Sequence, residues 1–367
     1  MLFVPQRIPT SLIVEAAVSL EPVDNALLTM IALLYPENYE GIDPWVAKAV
    51  QKMGPDRHQE HRFVISSVGL DGLANLAPQA ADFDDYLQQL EATEPISLRD
   101  TLFYWLFHSP HVHVKDDSQY DPPADLSPMI EDLDLFINGM SELLTSKMVP
   151  TRLQEVHQFY QDPSTLKIRL INHLTYMWTQ LLQPEWACVR PRLEDSVNAF
   201  NAIPLNNLTI FEAMERVTGR DLRFGFDIDA IQAYRKIRFI PHAHNGPYVV
   251  WYGDHEELRI SFPPRIPETV SNDNTQHYDR TALANRYKAL GDEIRLQILS
   301  IITQAGEVST QDIIDRLKLD KSAASRHLRQ LVATSLLVQR RESGAKKVYR
   351  LNPAAIQEME EMLATLK

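Results

Sequence analysis

The sequence has little cysteine, no long apolar run and no recognisable leader, and each shortage excludes a class of protein. One cysteine among 367 residues excludes an internal disulfide and a multi-cysteine zinc site, and it is typical of a reducing compartment. The longest apolar run, residues 26–35, is too short to span a bilayer. The first ten residues lack the pattern of a secretory signal. We therefore expect a cytoplasmic protein without a membrane segment.

Catalytic motifs are also missing. The chain has 12 glycines, and none of them lies in a glycine-rich phosphate loop or a nucleophile elbow. No metalloprotease signature is present either. We therefore expect no catalytic residue and no cofactor, and the alternative from another class is an enzyme fused to a regulatory module.

Charge is distributed unevenly along the chain. Residues 1–279 carry 21 Lys and Arg against 39 Asp and Glu, whereas residues 280–352 carry 14 against 7. A basic segment attached to an acidic body is the asymmetry expected when one domain contacts nucleic acid and the other does not.

The first 265 residues predict a mostly helical domain. We expect a first helix that Ser11 caps and whose apolar face includes Ala16. Further helices follow, opened or interrupted by prolines. At about residues 235–262, short aromatic and β-branched runs alternate with turn residues, which predicts a small antiparallel β-meander.

The rest of the chain predicts a linker and a second domain. Residues 266–277 are rich in proline and polar residues, which is typical of a linker. Residues 278–367 form the second domain, so the predicted fold class is α+β and predominantly helical.

The second domain has strong local signals. Asp292, Ser309 and Asp320 each precede an amphipathic helix, and Ser309 begins a capping-box pattern. The last two of these helices are joined by a tight turn, and the second of them has small and basic residues on its outer side. Two strands flanking residues 341–346 follow, and Pro353 opens a final helix. This order predicts a helix-turn-helix with a β-hairpin wing.

The segments Lys288–Leu299, Leu319–Leu331 and Arg341–Leu351 together resemble the ArsR-type winged-helix transcriptional regulators. The N-terminal part is similar to the long extensions found in a subset of that family. The resemblance implies a homodimer. Its interface is built by the first and last helices of this module, with dimer contacts from Ile356, Met359 and Leu363. Two departures from the family's metal sensors argue against a metal site in this module: residues 308–313 contain no cysteine, and the last helix has no histidine.

The resemblance also implies a recognition helix over Lys321–Val332 that reads a pseudo-palindromic operator in double-stranded DNA. Arg326 is placed to form a bidentate pair with guanine. The predicted DNA-binding residues are Lys321, Ser322, Ser325, Arg326, Arg329, Arg340, Lys346 and Lys347. His327 has two readings, as a phosphate contact or as a filler between this helix and the wing. Repression is the more common mode in the family.

The acidic N-terminal domain is too large to be a linker, so we interpret it as an input domain for a small ligand or a partner. An alternative is a metal-responsive regulator that uses N-terminal histidines. The candidate pairs are His58 with His61 and His242 with His244, and a third group is His108, His111 and His113. A further alternative is an interaction scaffold whose winged helix no longer binds DNA.

Overall fold

The computed structural model describes residues 15–109, 122–143, 150–205, 207–220, 222, 231, 234–254, 256–267, 280–342 and 346–364. Helices dominate, and the strands form two small sheets, so the predicted α+β class is confirmed. Within these residues no helix is both long and apolar enough to cross a membrane.

The N-terminal helices bury one large apolar core. Aromatic rings fill its centre, including those of Tyr86, Phe103 and Tyr160, which are fully buried. Residues 178–182 form a π-helical turn between the last two helices of this set. The helices are α1 Pro22–Ala32, α2 Pro44–Met53, α3 Pro55–Val68, α4 Leu70–Ala74, α5 Phe83–Ala92, α6 Pro95–His108, α7 Ser127–Glu131, α8 Leu133–Leu143, α9 Pro150–Gln161, α10 Pro163–Met177 and α11 Gln183–Asn201.

Local sequence explains where several of these helices begin. The carboxylate of Asp43 accepts a hydrogen bond from the Trp45 N–H, and Pro44 occupies the first turn. Asp82 and Asp162 cap α5 and α10 in the same way. These aspartates satisfy backbone donors that an open helix end leaves unpaired, and they lie at the positive end of the helix dipole.

A second, smaller core lies between a four-stranded sheet and the helices α11 and α12, Ile210–Thr218. The strands are β1 Glu15–Val18, β2 Lys236–Pro241, β3 Val250–Gly253 and β4 Glu257–Phe262, in the order β1-β2-β4-β3. The β1–β2 and β2–β4 pairs are parallel, and only β3–β4 is antiparallel. The predicted antiparallel meander is therefore wrong, since the sheet is mixed.

The sheet also corrects the prediction for the start of the chain. Residues 15–18 form a strand rather than the helix expected around Ala16, and their burial alternates as in a strand with one covered face. Ser11, the predicted cap, lies outside the described residues. β4 lies between β2 and β3 in the sheet, so β2 and β3 do not pair. The segment that connects them packs against the loop before α2, where an added Cβ at Gly246 would lie 2.1 Å from the Gly41 carbonyl oxygen.

The C-terminal module has the predicted elements. Its apolar core is the third in the protein, and every helix of the module contributes to it. Asp292, Ser309 and Asp320 cap helices as expected, and Ser309 forms a capping box with Asp312. The elements are α13 Arg280–Leu290, α14 Glu293–Ala305, β5 Val308–Ser309, α15 Thr310–Leu317, α16 Lys321–Ala333, β6 Leu337–Glu342, β7 Lys346–Leu351 and α17 Pro353–Ala364. The sheet is antiparallel in the order β5-β7-β6. Of the predicted linker, only Ile266 and Pro267 are described.

Candidate nucleic-acid interface

The helix α16 has one buried side and one outward side. Ala324, Leu328 and Leu331 are completely buried in the core of the module. The turn before the helix is tight because Lys318 adopts a left-handed conformation, with φ of 52°. Asp320 then accepts a hydrogen bond from the Ala323 N–H at 2.8 Å. The cap and the buried stripe together fix which residues of α16 face away from the core.

Five of the predicted DNA-binding residues lie on that outward side. Lys321 and Ser322 are exposed in the first turn, Ser325 and Arg326 are half-buried in the second, and Arg329 is exposed in the third. They share one face because residues three or four apart are neighbours on a helix. The structure therefore brings these five predicted side chains together.

The wing carries the other predicted contacts. Arg340 donates two hydrogen bonds to the Glu307 carboxylate, from Nε to Oε1 at 3.0 Å and from Nη2 to Oε2 at 2.6 Å. Hydrogen bonding to Arg340 lowers the pKa of Glu307, so the pair is charged near neutral pH. Lys347 is exposed on β7, and the Lys346 side chain lies outside the described residues. A phosphate would compete with Glu307 for Arg340.

His327 does not face solvent, so it is not placed for the phosphate contact that was one of its two predicted roles. It is buried, and its Nδ1 lies 3.7 Å from the Asp292 carboxylate at the start of α14. Burial lowers its pKa.

The predicted dimer residues differ in accessibility. Leu363 is 48% exposed near the end of α17, and Ile356 is half-buried beside an open groove lined by Leu351 and Pro353. Met359 is only 5% exposed because it packs into the core of its own module. Ile356 and Leu363 are therefore the predicted dimer residues that a partner can reach.

Sequence reasoning missed a contact between the N-terminal helices and α16. Residues 33–43, which we call the α1–α2 loop, lie against the third turn of α16. An Arg329 N–H donates to the Asn38 carbonyl at 3.2 Å, and the guanidinium carbon lies 5.1 Å from the centre of the Tyr39 ring. Glu40 in the same loop is ion-paired with Arg295 of α14.

A second segment supports the same contact. The Tyr248 hydroxyl donates to Oε1 of Gln330 at 2.6 Å, and its ring stands edge-on to Tyr39 with centroids 5.1 Å apart. Gln330 is buried, and burial raises the pKa of Tyr248. The sequence contained no local signal for these pairs, since Tyr248 and Gln330 lie 82 residues apart.

The candidate metal-binding histidines are engaged elsewhere. His58 Nε2 bonds to the Leu33 carbonyl at 2.8 Å, and His61 Nε2 bonds to the Met30 carbonyl at the same distance. His61 Nδ1 lies 3.0 Å from Nε2 of His173, a residue that the sequence did not suggest. Among the described residues no group of three or more His, Cys, Asp or Glu could hold a metal ion. His111 and His113 lie outside those residues.

The second histidine pair forms a buried polar cluster with Thr29. The Thr29 hydroxyl donates to the Asn25 carbonyl, so it accepts from both His242 Nε2, at 3.0 Å, and His244 Nδ1, at 3.1 Å. His244 Nε2 then faces a Glu185 oxygen at 3.1 Å.

A family described as a helix-turn-helix domain matches residues 290–340 of the chain. Two curated relatives come from Pseudomonas putida. The arsenic resistance transcriptional regulator ArsR1 is 34% identical over 77 residues, which are 21% of this chain and 59% of that protein. The arsenic resistance transcriptional regulator ArsR2 is 35% identical over 77 residues, 66% of its length. The chain thus spans about three-fifths of the first relative and just under two-thirds of the second.

Proposed function

We propose that this chain, which carries an ArsR-type helix-turn-helix module behind a long N-terminal extension, is a sequence-specific DNA-binding transcriptional regulator. The observation that carries the proposal is the outward face of α16, where Lys321, Ser322, Ser325, Arg326 and Arg329 lie together on a capped, well-packed helix. The surrounding residues 280–352 carry an excess of seven positive charges. Such a helix fits the major groove of DNA, and the charge supplies the attraction to phosphates.

The residues of this surface have different roles in the proposal. Residues in the first two turns of α16 contact base edges, and Arg326 forms a bidentate pair with guanine, worth about 1–3 kcal/mol of discrimination. Arg329, Arg340, Lys346 and Lys347 hold phosphates, which fix the register of the protein on DNA without reading sequence.

The proposed assembly is a cytoplasmic homodimer. It binds a pseudo-palindromic operator and represses transcription there. Ile356 and Leu363 are the accessible apolar residues of α17 that support the dimer. Two symmetric modules would place their α16 helices in major grooves one helical turn apart.

The N-terminal helices are proposed as the input domain for a small ligand or partner. A surface groove of about 300 Å³ between α3 and α10, lined by Arg57, Glu60, Arg169 and His173, is large enough for a small ligand. The cavity beside Glu185 and His244 has only about 10 Å³, which is room for one water. The metal-responsive alternative is weakened because the candidate histidines that the structure describes bond to carbonyls, to the Thr29 hydroxyl or to another histidine.

The deciding experiment is selection of genomic fragments by the purified full-length protein at near-physiological salt. We expect recovery of a pseudo-palindromic site that Arg326→Ala loses. Arg190→Ala is the matched control, because it removes the same charge from an exposed arginine on α11. Equal, salt-sensitive binding of all fragments by all three proteins would contradict sequence-specific recognition. An interaction scaffold whose winged helix no longer binds DNA would instead recover no fragment.

A further inference from the structure

The outward face of α16 is partly occupied by the chain itself. Arg329 lies within the proposed DNA-binding face, one helical turn beyond Ser325 and Arg326. Its guanidinium lies over the Tyr39 ring and donates to the Asn38 carbonyl. The α1–α2 loop thus holds a side chain that the proposed function assigns to a phosphate.

The loop is also unfavourable for a DNA backbone near this end of the helix. Asn38 and Tyr39 are exposed, so they project from the surface beside Arg329. The Glu37 carboxylate in the same loop is ion-paired with Arg62 at 2.8 Å, so the loop offers a phosphate no free cation in place of Arg329. A phosphate that approached Arg329 along this face would meet the exposed loop residues first.

The loop is held in this position by close backbone packing. Gly41 and Gly246 both have positive φ, of 79° and 56°, and their segments touch backbone to backbone. An added Cβ at Gly41 would lie 3.3 Å from Pro247 and 3.5 Å from Gln330. The loop is therefore fixed both to Pro247 and its neighbours and to α16 itself.

We propose that the α1–α2 loop is an autoinhibitory element that competes with DNA for Arg329. The inference rests on the proposed function, because it needs the outward face of α16 to contact DNA. In the docked state Arg329 is bound by Asn38 and Tyr39. In the released state it turns to a phosphate, and DNA and the loop exclude each other at this side chain.

The test is DNA affinity of the full-length chain measured by fluorescence anisotropy across a salt series. The probes are a duplex recovered by the genomic selection and a random-sequence duplex of equal length. Tyr39→Ala should bind both duplexes about two- to fivefold more tightly, the equivalent of losing an exposed cation–π contact. Its plot of log affinity against log salt should steepen by about 0.9, the value of one added phosphate contact.

Arg329 variants identify the side chain responsible. Arg329→Ala should change the affinity of the wild-type chain little, but in the Tyr39→Ala background it should abolish the gain in affinity and in salt slope. Tyr35→Ala is the matched control, because Tyr35 is similarly exposed in the same loop but stacks on Arg62. It should leave both quantities unchanged. Tyr248→Phe, which keeps the ring but removes the hydrogen bond to Gln330, provides a milder release if Tyr39→Ala unfolds.

The outcomes separate the two proposals. If the wild-type chain binds its site and the release variants bind no more tightly, while Arg329→Ala reduces the wild-type salt slope, the loop is not inhibitory and Arg329 reaches a phosphate while docked. If no variant binds either duplex, the proposed function fails and the autoinhibitory role fails with it.

Discussion

The buried pair His61 and His173 makes stability depend on pH in a way that can be calculated. The Met30 carbonyl only accepts, so His61 Nε2 carries a proton and donates to it. His61 Nδ1 is then an acceptor, and His173 Nε2 donates to it at 3.0 Å. Both rings are neutral in this chain of hydrogen bonds. Burial lowers the pKa of His61 to about 3 and that of His173 to about 4.

The sign of the effect follows from comparison with the unfolded chain, in which histidine has a pKa of about 6.5. Above that pH both rings are neutral in both states, so the pair adds no pH dependence. As the pH falls below 6.5, the unfolded chain binds protons that the folded chain does not, and the free energy of unfolding decreases. At pH 5 the expected loss is about 2 kcal/mol for each histidine.

The assay is urea unfolding at pH 7 and pH 5, followed by far-ultraviolet circular dichroism. His173→Gln is the informative variant, because its amide can still donate to His61 but does not titrate. Between the two pH values it should lose about 2 kcal/mol less than the wild-type chain. His58→Gln, which changes a histidine one turn from His61, should behave as wild type. Equal losses for wild type and His173→Gln would refute the argument that His173 is held neutral.

Two further predictions follow, one for the packing of Gly246 against the α1–α2 loop and one for the proposed dimer interface. Gly246→Ala should destabilise the chain by more than about 2 kcal/mol in thermal unfolding, because its φ is positive and its Cβ would collide with the Gly41 carbonyl. Gly54→Ala is the control, because φ is also positive there but no atom lies within 4 Å of the added Cβ; it should cost about 1 kcal/mol. If both variants lost the same free energy of unfolding, the collision at Gly246 would be contradicted. Leu363→Glu should shift the chain toward monomer in sedimentation velocity, because it places a charge on the accessible apolar surface of α17. Leu135→Glu, at a leucine of similar exposure on α8, should not; an unchanged assembly in both variants would remove Leu363 from the interface.

The C-terminal module was predictable because its signals are local. Asp292, Ser309 and Asp320 cap their helices through backbone groups three residues away. Apolar residues recur at the helical period between these caps, so the inward side of each helix can be determined from the sequence alone. The outward face of α16 follows directly, which is why five predicted residues lie together there.

The N-terminal sheet was not predictable by the same reasoning. Glu15 pairs with Lys236. The four residues of β1 contain no pattern that could specify a partner so distant in sequence. A short alternating segment such as residues 15–18 also fits a helix start, since a few apolar positions satisfy either period. The same limit explains the histidines. The spacing of His58 and His61 suggested a pair, whereas His61 bonds to His173, 112 residues away.

The contact between the α1–α2 loop and the C-terminal module has a buried part at α14 and an exposed part at α16, which limits how autoinhibition can be relieved. Arg295 is buried, and it joins Glu40 to the carbonyls of Lys288 and Ala289. Removing one partner of such a buried charge is costly, so this part is expected to stay intact. The contact of Arg329 with the loop is exposed and worth far less. Release of Arg329 therefore needs only the motion of its own side chain and of the loop beside it, and the module can stay docked while DNA competes for that single guanidinium.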